Sequence, residues 1–236
     1  LTERQETSPG FNILMRTGLR HAVPSDLRHT NCHPMITNPS FDLTKKKSKE
    51  YYMLLVSTKA QLPNHAENLK RDFNFSENQL IQVFSLPHTV TFEPNLRAFQ
   101  YKVSNAILYT NAKLFKIGFS EDDKCTFCKQ EVETLYHLMF HCFYPKQFWR
   151  QFEFYFYSIT NRQVHLNLRD VLFGIITSKC ILLNYLLIIG KLYFWDCRRN
   201  KVHPSIHGFQ IKVKNKYEIE KYICARDNKM REFYSK

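Results

Sequence analysis

The stretch "CTFCKQEVETLYHLMFHC", residues 125–142, places three cysteines and two histidines within eighteen positions. Cys125 and Cys128 have C-x2-C spacing, which lets a tight turn aim two sulfurs at one ion while backbone amides soften the thiolate charge. His137 follows nine residues on and Cys142 five beyond it, giving C-x2-C-x8-H-x4-C. Four soft or borderline donors at these intervals suit tetrahedral Zn2+. His141 competes for the fourth position. On an expected helix His137 and His141 are i, i+4 and share a face, whereas Cys142 is i+5 and has to lie at or past the helix end to turn inward. A thiolate is the stronger anionic donor and Pro145 follows a natural helix stop, both of which favour Cys142. Helix geometry alone leaves His141 as the alternative fourth ligand.

With four protein ligands no position remains for water, so one structural Zn2+ and no hydrolytic role are expected. A catalytic three-ligand site would make one of the four a bystander. A set of buried free cysteines is the plainest alternative, which C-x2-C alone would leave open and the added H-x4-C argues against. Glu131 and Glu133 fall in the first turn of the expected helix, where the dipole favours carboxylates. Glu133 either accepts the second ring N–H of His137 or stays a solvated acid.

Around this cluster lie 236 residues, 44% hydrophobic and 15% aromatic, enough for a real core. The formal charge is +13. Such a surplus points to a polyanionic partner, nucleic acid before membrane surface, with solubility as the plainer reading. From Lys191 to Lys236 there are twelve Lys and Arg against five Asp and Glu, so about half the excess charge sits in the last fifth of the chain. Seven cysteines, an odd number, and no secretory signal pattern near Leu1 argue for reduced thiols rather than a disulfide framework. The expectation is a piece of a longer reading frame kept inside the cell. Six glycines, at 10, 18, 118, 174, 190 and 208, exclude a G-x-G-x-x-G or G-x-x-x-x-G-K phosphate loop, and G-x-S-x-G and H-E-x-x-H are absent.

The chain reads as mostly α, a small zinc-knuckle module embedded among helices with a loop-rich N-terminal arm. Residues 1–47 hold four prolines and the start of the basic run "KKKSK", and read as a basic arm or connector; Cys32 and His33 in "NCHP" read as loop residues. A helical connector, 48–92, begins with "KEYYMLLVSTKAQL", continues through "NHAENLKRDF" with Asn64 as an N-cap, and carries a capping box at Ser76 and Gln79. The piece "SLPHTVTFEPN" reads as turns. The zinc-binding domain, 93–200, opens on a helix over 95–108 with Leu96, Phe99, Val103, Ala106 and Ile107 inward and Arg97, Gln100, Lys102 and Asn105 outward. Thr110 caps a short helix that Gly118 ends. Phe148, Phe152 and Phe156, with Trp149, read as a core stripe rather than a base-stacking surface. The apolar run 181–195 is fifteen residues, broken by Asn184 and Lys191, and reads as a buried helix because a span needs roughly 17–25. A basic C-terminal helix, 201–236, has Phe209, Val213 and Tyr217 on one stripe, with Lys212, Lys216 and Lys221 off it.

Residues 99–149, "FQYKVSNAILYTNAKLFKIGFSEDDKCTFCKQEVETLYHLMFHCFYPKQFW", resemble the zinc-binding region at the C-terminal end of reverse transcriptases from non-LTR (LINE-type) retrotransposons. The matching positions are Phe99, the step "ILYTNAKL", Cys125 and Cys128, Glu133 with Thr134, His137 and Leu138, Cys142, and Trp149. The resemblance extends over about 95–200 and more faintly to "RTGLRHAVPSDLR" and "LPHTV". It implies the tail of a polyprotein, with the remainder of a reverse transcriptase as partner and nucleus or cytoplasm as its place.

The polymerase's Y/F-x-D-D hairpin is missing. The one adjacent aspartate pair, Asp122 and Asp123, sits in a polar turn without flanking apolar strands, and no endonuclease constellation is visible. A non-enzyme is therefore expected, with no small-molecule substrate and no membrane association. The first expected function is binding of template RNA or target DNA with little sequence preference, through Arg198, Arg199, Lys201, Lys212, Lys214, Lys216 and Lys221. The alternative is a structural or docking module that packs on the absent polymerase through the 181–195 helix without touching nucleic acid.

Overall fold

The computed structural model describes residues 64–176 and 180–234, all within one compact unit, Leu62–Lys236. The expectations for the arm, for the helix before Pro63 and for Cys32 and His33 lie outside the described residues. The fold is mostly helical, and no strand occurs among the described residues, only an antiparallel bridge between Lys124 and Val132. The order is α1 (Asn64–Phe73), α2 (Glu77–Val90), α3 (Pro94–Ser104), α4 (Asn111–Lys116), a π-helical turn (His137–His141), α5 (Phe143–Thr160), α6 (Leu168–Phe173), α7 (Ile181–Asn200), α8 (Ile206–Arg226) and α9 (Met230–Tyr234).

Local chemistry sets most of the helix starts. Ser76 Oγ accepts the Gln79 N–H at 3.3 Å while the Gln79 side chain accepts the Ser76 N–H at 3.0 Å, closing the capping box before α2. Asn167 and Asp170 do the same for α6, and Ser205 caps α8 through the Gly208 N–H at 3.1 Å. Thr110 occupies the N-cap position of α4 without a side-chain cap bond, and Gly118 lies beyond its end at φ +76°.

α7 is the central element. Its Leu183, Leu186, Leu187, Ile188, Ile189 and Phe194 are buried, and the Phe148, Phe152 and Phe156 stripe of α5 packs into the same core with Phe209 of α8. Phe148 meets Phe194 edge-on at 4.8 Å and Phe209 at 5.4 Å. Gly190 makes this close approach possible, because a Cβ there would stand 2.7 Å from Trp149 Cη2.

The two polar residues that interrupt the α7 run are buried and used. Asn184 exchanges both amide bonds with the Ile175 backbone, at 2.8 and 2.9 Å. Lys191 donates to the carbonyls of Val171 (2.6 Å) and Leu172 (3.1 Å), orphan acceptors at the end of α6. It has no acidic partner in these bonds, and burial pushes its pKa down to about 7.

Several expectations are corrected. "SLPHTVTFEPN" is not a run of turns: α2 continues through Pro87 to Val90, because Leu86, Pro87 and Val90 are all buried and their packing outweighs one lost backbone bond. α3 stops at Ser104, and Ala106 adopts φ +50°, so Ile107 emerges exposed rather than inward. Gln100, expected on the outer face, is fully buried and donates to Leu172 O (2.8 Å) and Ser104 Oγ (3.0 Å).

The buried line of α8 is Phe209, Lys216, Glu220 and Cys224, and Tyr217 is exposed. At about 100° per residue, positions +7 and +11 fall within roughly 20° of Phe209 while +8 falls about 80° away. Lys216 is thus on the inner face and pairs with Glu93, and Glu220 accepts the Thr91 hydroxyl (2.7 Å) and the Phe92 N–H (2.8 Å). These bonds fasten α8 to the link between α2 and α3.

Candidate metal centre

The C-x2-C turn begins where the Lys124–Val132 bridge ends. Cys125 N–H donates to Glu131 O at 2.8 Å and Glu133 N–H to Asp123 O at 2.8 Å, so the two arms of the loop are tied on both sides. Lys129 N–H returns to Cys125 O at 2.9 Å, and Lys129 itself takes φ +59°, reversing the chain just after Cys128. The amides of Phe127 and Cys128 donate to the Cys125 sulfur and that of Tyr144 to the Cys142 sulfur. These bonds favour thiolates at both positions.

Thr134 starts the second arm by accepting the His137 N–H on its hydroxyl at 3.1 Å. The turn His137–His141 is π-helical, and Cys142 N–H donates to His137 O at 2.9 Å. In an α-helix a residue five positions on would face away from His137; widening the turn by one residue brings Cys142 back over it. Cys142 then takes extended angles and becomes the N-cap of α5.

The Sγ atoms of Cys125, Cys128 and Cys142 and a ring nitrogen of His137 all lie within 4.8 Å of one another. Cys125 Sγ and Cys142 Sγ are 4.0 Å apart, and Cys128 Sγ is 3.4 Å from His137 Nε2. Tetrahedral zinc with Zn–S bonds of about 2.3 Å requires sulfurs about 3.8 Å apart, so donor types and spacing both fit. His141 is exposed, its ring against Phe140, and is not among the converging donors. The Cys125–Cys142 contact pushes the Cys125 thiol up and holds that of Cys142 down, and burial lowers the His137 imidazole. His137 is therefore neutral near pH 7, as a ligand must be.

Glu133 departs from both readings of it. It precedes the helix and is 0% exposed; its carboxylate accepts from Asn111 N–H (2.9 Å), Thr126 N–H (2.7 Å) and Arg198 Nε (2.6 Å), and its own backbone oxygen from Ala112 N–H (3.4 Å). It thus ties the start of α4, the C-x2-C turn and the end of α7 together. Nothing in the sequence signalled Arg198 as its partner, since the two are 65 positions apart.

The seven expected phosphate-contacting cations separate into two groups. Arg198 is 10% exposed, bonded to Glu133 and Asn111 and stacked over Trp195. Lys216 is buried on Glu93, and Lys212 pairs with Asp196 at 2.6 Å. Those three serve the fold. Arg199, Lys201, Lys214 and Lys221 are exposed. Arg199 and Lys201 stand directly after Arg198, and His203 beyond them stacks on Tyr144 at 4.4 Å and neighbours Phe127 of the knuckle. The corner between α7 and α8 therefore borders the metal centre.

No helix among the described residues is long and apolar enough to cross a membrane. Residues 51–149 match the family described as zinc-binding in reverse transcriptase, a span that contains all four converging donors and ends at Trp149. No curated protein matches the chain. The cluster thus lies in a zinc-binding region of the kind associated with reverse transcriptases.

Proposed function

We propose that this chain is a non-catalytic module, stabilised by one Zn2+ on Cys125, Cys128, His137 and Cys142, that binds RNA or DNA of a LINE-type element next to its polymerase. Bound there, the ion supplies a cross-link between the C-x2-C turn and the π-helical turn, with no ligand position left for a reacting water. The observation that carries the nucleic-acid reading is the Glu133–Arg198 pair. It draws the cationic end of α7 against the knuckle and leaves Arg199 and Lys201 exposed beside it. Phosphates recognise such a corner without reading sequence.

The test is affinity for single-stranded RNA and DNA across a salt series. Binding is expected to weaken linearly on a log–log plot, and Arg199→Ala with Lys201→Ala to reduce the slope by about two. No binding at about 50 mM salt, or binding indifferent to salt, overturns the reading. A docking role has its own support in exposed Phe115, Ile117 and Phe119, the last 81% exposed. The apolar α7 run is spent in the chain's own core, so docking falls to this surface instead. Salt-independent capture of the polymerase segment that Phe119→Ser abolishes would favour it.

A further inference from the structure

A pocket lies between α2, α7, α8 and α9. Val90, Ile181, Leu182, Tyr185, Tyr217, Glu220, Phe233 and Tyr234 surround a pocket of about 240 Å³. This is smaller than the roughly 300–1,000 Å³ of pockets that take whole cofactors, and suits a head group or the end of a side chain. Four of its walls are aromatic, with Tyr217 and Phe233 at 5.3 Å between ring centres and Phe233 edge-on to Tyr234 at the same distance. Among the described residues no Lys, Arg or His lines it.

Glu220 lies at the inner end. It is 3% exposed and accepts hydrogen bonds from Thr91 and Phe92, which hold its carboxylate in place without neutralising it. The neighbouring cations have other partners: Lys216 is on Glu93, and Lys229 stands over the Phe92 ring at 5.6 Å. The Tyr185 hydroxyl, also buried, is close enough to Glu220 to interact with its carboxylate. Burial first, and then Glu220 and Glu93, push the tyrosine's pKa well up.

We propose that this pocket binds an alkylated ammonium group, its charge facing Glu220 and its methyl groups against Tyr185, Tyr217, Phe233 and Tyr234. Ring faces attract a cation, and a desolvated carboxylate behind them adds charge that a neutral ligand cannot use. A methylated lysine side chain and a free choline-like molecule share this chemistry. The site is independent of nucleic-acid binding.

The experiment is a calorimetric titration of the zinc-loaded full chain with tetramethylammonium chloride, choline, its neutral isostere 3,3-dimethylbutanol, and a peptide carrying trimethyllysine. Saturable binding of the cations, with the isostere at least tenfold weaker, is expected. Glu220→Gln should weaken the cations tenfold or more and leave the isostere unchanged. Tyr234→Ala, at an exposed ring outside the core, provides a second variant that does not depend on Glu220 for folding and should weaken the cations about threefold or more. A peptide that binds tighter than choline identifies a protein side chain as the ligand; the reverse order identifies a small molecule. Equal binding of cation and isostere, or no binding of any cation at 50 mM, overturns the proposal.

Discussion

The knuckle and the aromatic core of α5, α7 and α8 bury charge in opposite ways. At the knuckle, Glu133 is fully enclosed yet meets Arg198 and two backbone amides, so its charge is compensated on every side. In the core, Lys191 is just as enclosed and meets only two carbonyls. The first region adds Phe127, Leu135, Leu138 and Met139 to the core and is held besides by hydrogen-bond donors, the Glu133–Arg198 pair and a converging Cys3His donor set. The second has ample apolar area and can carry one uncompensated lysine as a clamp on α6. A buried charge is thus informative about stability only with its partners in view.

The largest effect expected is loss of the metal. Wild type should carry one zinc by native mass spectrometry, Cys142→Ser none, and His141→Ala one; structural zinc contributes on the order of 10 kcal/mol in small knuckles. Because Leu135, Leu138 and Met139 join the common core and Trp149 Nε1 donates to Met139 O at 2.8 Å, chelation should also shift the Trp149 fluorescence. Retained zinc in Cys142→Ser and loss in His141→Ala would reverse the ligand assignment.

Next comes the core itself. Phe152→Ala removes a fully buried ring between Trp149 and Phe209 and should cost about 3–5 kcal/mol in denaturant unfolding while zinc stoichiometry stays at that of wild type. A zinc-free Phe152→Ala protein would show that the two regions are not separable in this way.

Glu133→Gln should cost about 1.5–3 kcal/mol, since a charged acceptor for Arg198 is lost while the shape is kept. A cost below about 0.5 kcal/mol would place Arg198 and its neighbours outside the knuckle's support.

The most specific effect, and the smallest per pH unit, concerns Lys191. Its folded pKa, about 7, lies below the ordinary lysine value, so between these limits the unfolded chain holds a proton that the folded chain lacks. Stability should therefore rise with pH from about 7 toward 10, by at most about 1.4 kcal/mol per pH unit relative to Lys191→Met, and the difference should be flat below about pH 7. A difference that falls with pH would contradict an uncompensated lysine.

Legibility in the sequence followed the range of the interaction. The Ser76–Gln79 box, the α5 stripe and the burial of the 181–195 run depend on neighbours within a few residues or on plain apolarity, and all are present. The α2 extension through Pro87 was hidden because a proline's local cost was weighed without the packing that offsets it. The α8 face was misplaced by one residue in phase, which exchanged Tyr217 for Lys216. Cations counted as surface charge could not be told from cations that pair with Glu93 or Glu133, since both partners are distant in the chain.

What the residues alone carried was the donor set, its spacing and the apolar helices, because metal ligands and core stripes are chosen by residue type at short intervals. The tertiary structure decided the rest. It selected a π-helical turn that brings Cys142 over His137, and it enclosed Glu133 with Arg198 and Lys191 with the end of α6. It also left Arg199, Lys201 and the aromatic pocket around Glu220 facing outward. Those outcomes depend on which distant groups meet, and that is set only when the helices pack.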